Sequence, residues 1–250
     1  GQTRELKPDG TCFSCQSVVN RGQFNWILIS REILSHQAKP TIDISNDTEE
    51  GMERPTVYDP RYYPELRALK GRNPDFDWDA FGTRVRNIFV NLQNAWSSQD
   101  FDKARPYEMD VLYDSHRYWI DRYKAEGLTN HLADISVSKI EACKIVRDAF
   151  YESITVRIFA QMRDWTTDRS GAVLAGNPQK IRRFSEYWTF VRRIGSDSPI
   201  QPDLSLCPSC GAPLDHINQS GVCHYCQSQI ASGNFDWVLN SIEQDEVYGQ

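Results

Sequence analysis

Ile154-Thr155-Val156-Arg157-Ile158-Phe159-Ala160-Gln161-Met162-Arg163 decides the fold class. Ile154, Val156, Ile158, Ala160 and Met162 recur at every second position, the period at which a strand presents one face. Upstream, Ile135 and Val137 open a strand running towards Cys143 and Ile145, and Ile140 breaks the parity, so a bulge is expected. Downstream, Asp168-Arg169-Ser170-Gly171 and Gly176-Asn177-Pro178 are turn signals around a short strand at Ala172-Val173-Leu174. The last strand is expected over 181–193, with Phe184, Glu186, Trp188 and Phe190 on one face. Strands joined by such short turns make an antiparallel sheet.

Before the sheet the period is helical. Trp78, Phe81, Val85, Ile88, Phe89, Leu92 and Trp96 form one apolar helix face, with Asp77 as N-cap. Met109, Leu112, Tyr113, His116, Trp119, Ile120 and Tyr123 form a second, which Gly127 should end in a left-handed turn. Two helices followed by a long antiparallel sheet give an α+β domain over 77–194. If the sheet curves and the helices fold onto its concave face, a cone with an apolar pocket results. Residues 37–76 are acidic, then proline-rich (Pro55, Pro60, Pro64, Pro74), which reads as a linker without a long helix. Residues 195–206 read as a second linker.

The strongest chemical signal lies beyond it. Cys207-Pro208-Ser209-Cys210 and Cys223-His224-Tyr225-Cys226 are separated by twelve residues. Two such pairs make facing turns whose four thiolates converge on a tetrahedral site that suits structural Zn²⁺, so 207–250 reads as a zinc ribbon. Gly211 and Gly221 stand where the chain must reverse tightly. A disulfide pair is the alternative, and a redox Cys-x-x-Cys lacks its βαβ context.

The module recurs at the other end: residues 12–28 align without a gap to 223–239. Cys12 and Cys15 match Cys223 and Cys226, and Gly22, Phe24 and Trp26 match Gly233, Phe235 and Trp237. Residues 1–36 therefore read as the second half of a ribbon whose first cysteine pair is expected just ahead of Gly1, in a longer protein. Free or disulfide-bonded cysteines are the alternative. Each Phe-x-Trp is expected to cover the apolar side of its metal site, or else to grip a partner.

A hydrophobic share of 40% and a charged share of 25% are those of a water-soluble chain able to bury a core, and no apolar run is long enough to span a membrane. The net charge of −6 argues against phosphate-backbone binding. Metal-type cysteines point to a reducing compartment, hence the cytoplasm.

Phe89-Val90-Asn91-Leu92-Gln93-Asn94-Ala95-Trp96, Asn130, Ile154 to Ile158, Gly176 and above all Glu186-Tyr187-Trp188-Thr189-Phe190-Val191-Arg192 resemble one family. It is the C-terminal domain family of the mitochondrial inner-membrane translocase subunit 44. The resemblance covers about residues 75–194. It implies the cone-shaped fold of the nuclear transport factor 2 superfamily and a membrane-associated adaptor that does no chemistry. The flanking ribbons look like those of bacterial relatives, often with a membrane segment upstream. The expected function is a non-enzymatic scaffold binding a protein partner, an apolar ligand or lipid at the cytoplasmic face of a membrane. Pocket candidates are Glu186, Trp188, Phe190, His116 and Tyr113; Glu186 would need a cationic partner such as an inward Arg. An isomerase- or dehydratase-like enzyme is the alternative, with His116 and Tyr113, or His131 and Asp134, as acid–base groups. Nucleic-acid binding by the ribbons would need flanking Lys and Arg, where Asp203, Asp215, Asp236 and Glu243 stand instead.

Overall fold

The strands expected around Ile154 form one antiparallel sheet of five, in the order β1-β2-β4-β5 with β3 paired to β2. The computed structural model describes residues 48–49, 51–196, 200, 205–214, 217–218 and 220–249. These belong to the second of two compact units, Asp43–Gln250. Cys12, Cys15 and the amino-terminal half ribbon lie outside the described residues. In chain order the elements are α1 (Tyr62–Arg72), α2 (Trp78–Ser97), a 3-10 helix (Phe101–Tyr107), α3 (Asp110–Glu126), β1 (Thr129–Arg147), β2 (Tyr151–Thr167), β3 (Val173–Gly176), β4 (Arg182–Arg193) and β5 (Val238–Gln244).

Helix α2 starts where expected. The Asp77 carboxylate accepts hydrogen bonds from the N–H groups of Asp79 (2.9 Å) and Ala80 (3.0 Å), satisfying two donors that the first turn leaves open. Its stripe Phe81, Val85, Ile88, Phe89 and Leu92 is buried against the sheet. Helix α3 ends at Gly127, at φ 73°, with Leu128 N–H bonded back to the Tyr123 carbonyl. That left-handed φ strains any residue with a Cβ, so the position favours glycine whatever the space around it. Of its expected inner face, Tyr113 and Ile120 are buried, whereas Trp119 is 44% exposed. A face set by 3.6-residue steps reaches the core only where the neighbouring element meets it, and Trp119 lies at its edge.

Strand β1 shifts register against β2 between Ala133 and Ser136, between Val137 and Lys139, and between Ala142 and Lys144. Asp134, at φ 54°, sits inside the first bulge. Ile140 itself pairs in register with Ile158, so the parity break is set just before it. Repeated bulges bend a strand and curve its sheet. Helix α2 packs on the concave side: Phe89 lies 5.1 Å from Trp188 and Phe81 lies 5.9 Å from Phe190, centroid to centroid.

Three features were not expected. Helix α1 occupies part of the stretch read as a linker; Pro64 falls in its first turn, where a missing N–H breaks no bond, and Leu69 is buried. Strand β5, read as part of the ribbon, is an edge strand of the main sheet, with Trp188 opposite Ile242 and Phe190 opposite Leu239. The convex face is covered as well. Arg157, fully buried on β2, donates to the carbonyls of Gly51 (3.0 Å) and Arg54 (2.7 Å) and meets Asp245 at 3.0 Å. Beside it Tyr248 stacks on Tyr187 at 3.7 Å. The segment before α1 and the turn after β5 thus share one buried guanidinium, whose charge is met by Asp245 and whose other donors go to those two carbonyls and, from Nε, to the Ser185 hydroxyl (3.2 Å).

Candidate metal centre

Each Cys-x-x-Cys pair folds as a tight turn with the same internal bonds. Gly211 N–H donates to the Cys207 carbonyl (2.8 Å), and Gln227 N–H donates to the Cys223 carbonyl (3.0 Å). Both residues take the left-handed conformation, Gly211 at φ 73° and Gln227 at φ 61°. The amide of Cys207 donates to Ala212 O (2.7 Å) and that of Cys223 to Ser228 O (2.9 Å), which turns both loops towards one point.

There the sulfurs meet. All four Sγ atoms lie within 4.8 Å of one another, with Cys207 and Cys226 at 3.7 Å and Cys210 and Cys223 at 3.9 Å. A tetrahedron with metal–sulfur bonds of about 2.3 Å has edges of ~3.8 Å, so the donor set fits a tetrahedral, thiophilic metal ion. Disulfide sulfurs would stand about 2.05 Å apart, and the cysteines described are free of such bonds. The Ser228 hydroxyl and N–H hold the Cys226 thiol down to about 6. At Cys210 the Ala212 N–H acts in the same sense, but desolvation and the facing sulfurs of Cys226, Cys207 and Cys223 outweigh it and push the thiol up to about 12. A metal ion held by these sulfurs would take the place of the thiol protons, because each thiol must be deprotonated to act as a ligand.

The ribbon is not a free appendage. Cys207, Leu214, Cys223 and Ile230 belong to the same buried cluster as α2 and the sheet. Gly221 lies against Arg105 of the 3-10 helix: a Cβ there would stand 2.9 Å from Arg105 Nη2 and from Ala231 Cβ. The expected role of Phe235-x-Trp237 is corrected here. Trp237 is fully buried against the body, 6.0 Å from Phe76 and 5.4 Å from Phe81, with the Arg192 guanidinium 5.0 Å over its ring. Its carbonyl accepts from Arg84 Nε (2.8 Å), and the preceding Asp236 carboxylate pairs with Arg84 (3.3 Å). The chain leaving the second knuckle is thus anchored into the body immediately before it becomes β5.

The pocket candidates are placed as follows. Trp188, Phe190 and Tyr113 are buried, so around them the expected apolar hollow is filled by aromatic rings. Glu186 is half-buried and shares the concave face, but its two oxygens accept from Trp188 Nε1 (2.9 Å) and Gln244 Nε2 (2.8 Å) rather than from an arginine. Burial pushes its carboxyl up, against those two hydrogen bonds and the charges of Arg182 and His116. Tyr113 donates to Asp102 (2.7 Å) and not to His116; burial and that carboxylate push its phenol up. His131 stacks on Trp165 at 5.1 Å and meets Thr167 Oγ1 at 2.9 Å; Asp134 pairs with Arg163 at 2.6 Å on the exposed side of β1.

A group the sequence did not mark is Glu108. Its side chain is wholly buried, with Oε1 2.7 Å from His116 Nδ1 and Oε2 without a hydrogen-bond partner. Burial pushes this carboxyl above the ordinary value of 4.5 in spite of the imidazole and Arg105. The folded state therefore holds a proton that the unfolded state has released, and the associated stability is lost as pH rises through the raised value. Glu108→Gln should gain stability relative to the parent as pH rises from about 4 to about 8, the reverse of a salt-bridged acid. Urea unfolding at a series of pH values measures the difference; one that stays flat or narrows would contradict this placement.

Among the described residues no helix is long and apolar enough to cross a membrane. A search of curated proteins found no match. The family model described as a Tim44-like domain matches residues 65–200, more than half of the 250 residues. The match begins inside α1, contains α2, α3 and strands β1 to β4, and ends before the cysteine tetrad and β5. With the match running through α2, α3 and the first four strands, the chain belongs to the Tim44-like domain family.

Proposed function

We propose that the protein is a non-enzymatic adaptor. Its body is a nuclear transport factor 2-like cone that docks a protein partner, or an apolar or lipid surface, at the cytoplasmic face of a membrane. Cys207, Cys210, Cys223 and Cys226 hold a structural Zn²⁺ that fixes the ribbon on which β5 depends. The domain limits remain those proposed from the sequence for the body, 77–194, and the ribbon, 207–250, with β5 as the ribbon's contribution to the sheet.

The observation that carries the docking role is the outer side of α3. Val111 is 84% exposed, Tyr118 60% and Trp119 44%, with Arg122 5.5 Å over the Trp119 ring. Val111, Tyr118 and Arg122 fall on one helix face, with Trp119 beside it. Amphipathic aromatics next to a guanidinium suit both protein interfaces and the headgroup region of a bilayer. The helix also carries Asp110, Asp114, Asp121 and Glu126, so acidic lipid should add little to binding. Liposome flotation of the full chain tests the lipid surface: parent protein should float, with or without acidic lipid. Tyr118→Ser with Trp119→Ser should lower the bound fraction about tenfold. Parent protein that stays at the bottom with both lipid compositions would remove the lipid from the proposal.

A second reading, an isomerase- or dehydratase-like enzyme, is favoured by one observation, the His116 imidazole held by the buried Glu108 carboxylate at 2.7 Å. It requires substrate space beside His116, where the rings of Trp96 (6.2 Å) and Phe101 (5.4 Å) stand. The adaptor reading is therefore preferred.

A further inference from the structure

The convex face of the sheet is dressed differently at its two ends. Residues 151, 153, 155 and 157 of β2 alternate onto that face, and residues 193, 191, 189 and 187 of β4 stand opposite them. Around Arg157 and Tyr187 the chain covers itself. Asp245 meets the guanidinium, the Ser185 hydroxyl donates to the same carboxylate, and Tyr248 lies flat on Tyr187. This end of the face is thus held by one acidic and one aromatic side chain, three positions apart on a single short segment.

Towards the β1–β2 turn the same face sinks into a hollow of about 250 Å³, walled by Met109, Val146, Tyr151 and Val191 over Ser153 and Thr189. The floor hydroxyls are already used. Thr189 shares a hydrogen bond with Thr155 (2.9 Å), and Ser153 donates to the Val146 carbonyl (3.3 Å). Two cations flank the hollow: Lys144, opposite Thr155 on β1, and the exposed Arg193, opposite Tyr151 on β4. Neither side chain has an ion-pair partner among the described residues. Asp148 also borders the hollow, but its carboxylate accepts from the N–H groups of Tyr151 (2.7 Å) and Phe150 (2.6 Å), which hold its carboxyl below the ordinary range. The turn locked in this way carries Phe150, 65% exposed. A hollow with a spent polar floor, apolar walls and a cation on each side calls for an apolar or aromatic side chain accompanied by carboxylates.

We infer that this end of the convex face docks an acidic, aromatic-bearing peptide segment of another protein. Its carboxylates meet Lys144 and Arg193 and its ring enters the hollow beside Tyr151, as the chain's own Asp245 and Tyr248 meet Arg157 and Tyr187. A bilayer fits less well, because the cations flank a concavity and not a flat apolar surface. The inference goes beyond the contact proposed for α3 and does not depend on it: flotation reads that helix, and peptide binding reads this hollow.

Short random peptides displayed on phage and selected on the full chain test it. The selected peptides should each carry an Asp or Glu and an aromatic residue, and a synthetic copy should shift the amide resonances of Val146, Ser153, Val191 and Asn240. Lys144→Glu with Arg193→Glu should weaken that peptide at least about tenfold. Exchanging the peptide's acids for Lys should restore binding to this variant, which also shows that the variant is folded. Lys144→Gln with Arg193→Gln, which brings no new charge, should weaken the acidic peptide in the same direction. Selection of no peptide, or of peptides without an acid, would overturn the proposal. So would resonance shifts confined to α3, or binding that the charge reversal leaves unchanged. A concentration-dependent dimer dissociated by the same reversal would give the hollow to a second copy of this chain, and vesicle binding lost on reversal would give it to lipid; either result overturns the proposal.

Discussion

Cys223→Ser should strip the tetrad of its metal and loosen the edge of the main sheet with it. Zinc bound by small thiolate modules contributes about 10–16 kcal/mol to their folding, so a metal ion held by this tetrad would supply most of the second knuckle's stability. Cys223 is buried in the same cluster as Trp237 and Leu239, and only the short run from Gln227 to Trp237 separates the second cysteine pair from β5. Loss of the metal therefore frees the anchor residues to leave the body. The expected result is fast amide exchange over Val238–Gln244 and a lower, broader melt, while β1 and β2, paired along their whole length, stay protected. Fast exchange throughout β1 and β2 would mean that the ribbon nucleates the whole sheet. Unchanged exchange in β5 would mean that the strand holds without its metal.

Trp188→Ala should cost about 3–5 kcal/mol. The ring is buried on the concave face between Phe89 (5.1 Å) and Phe190 (6.3 Å), and its indole N–H is the donor to Glu186. Removal leaves a cavity in a wall of rings that cannot collapse without moving α2, and it leaves a half-buried carboxylate one donor short. Chemical denaturation at neutral pH measures the loss. The same change at acidic pH should cost less, because Glu186, whose carboxyl burial pushes up, is then neutral and asks less of its donors. A loss below roughly 1 kcal/mol would place the ring on an open face.

These two residues also mark what could be read without coordinates. The Trp188 face, the α2 stripe from Phe81 to Leu92 and the stop at Gly127 are local patterns: a period of two, a period near 3.6, a glycine where φ must be positive. The tetrad is equally local, because ligand spacing within each knuckle fixes which sulfurs converge. What escaped was set by partners far along the chain. Arg157 looked like an ordinary outward residue of an alternating strand, and nothing nearby announced that Asp245, 88 positions on, and the carbonyls of 51 and 54 would enclose it. Phe235-Asp236-Trp237-Val238-Leu239 read as a cover for the metal because sequence neighbours are the natural guess. In the fold its neighbours are Phe81, Arg84 and Arg192. Glu108 carried no signal at all, since a lone acid before a helix is ordinary until its burial is known. Pro64 misled in the opposite direction, because its effect depends on which turn of the helix it enters.

The claim on which the account depends is that four cysteines near the carboxyl terminus grip a metal and thereby fasten the last strand of the sheet. The most direct measurement is the zinc content of the full chain carrying Cys12→Ser and Cys15→Ser, taken before and after a strong chelator, with amide exchange followed at Val238–Gln244. The account predicts about one zinc per chain before treatment, and β5 amides that begin to exchange when the metal is withdrawn. A metal-free protein with reduced thiols and a fully protected β5 would contradict it.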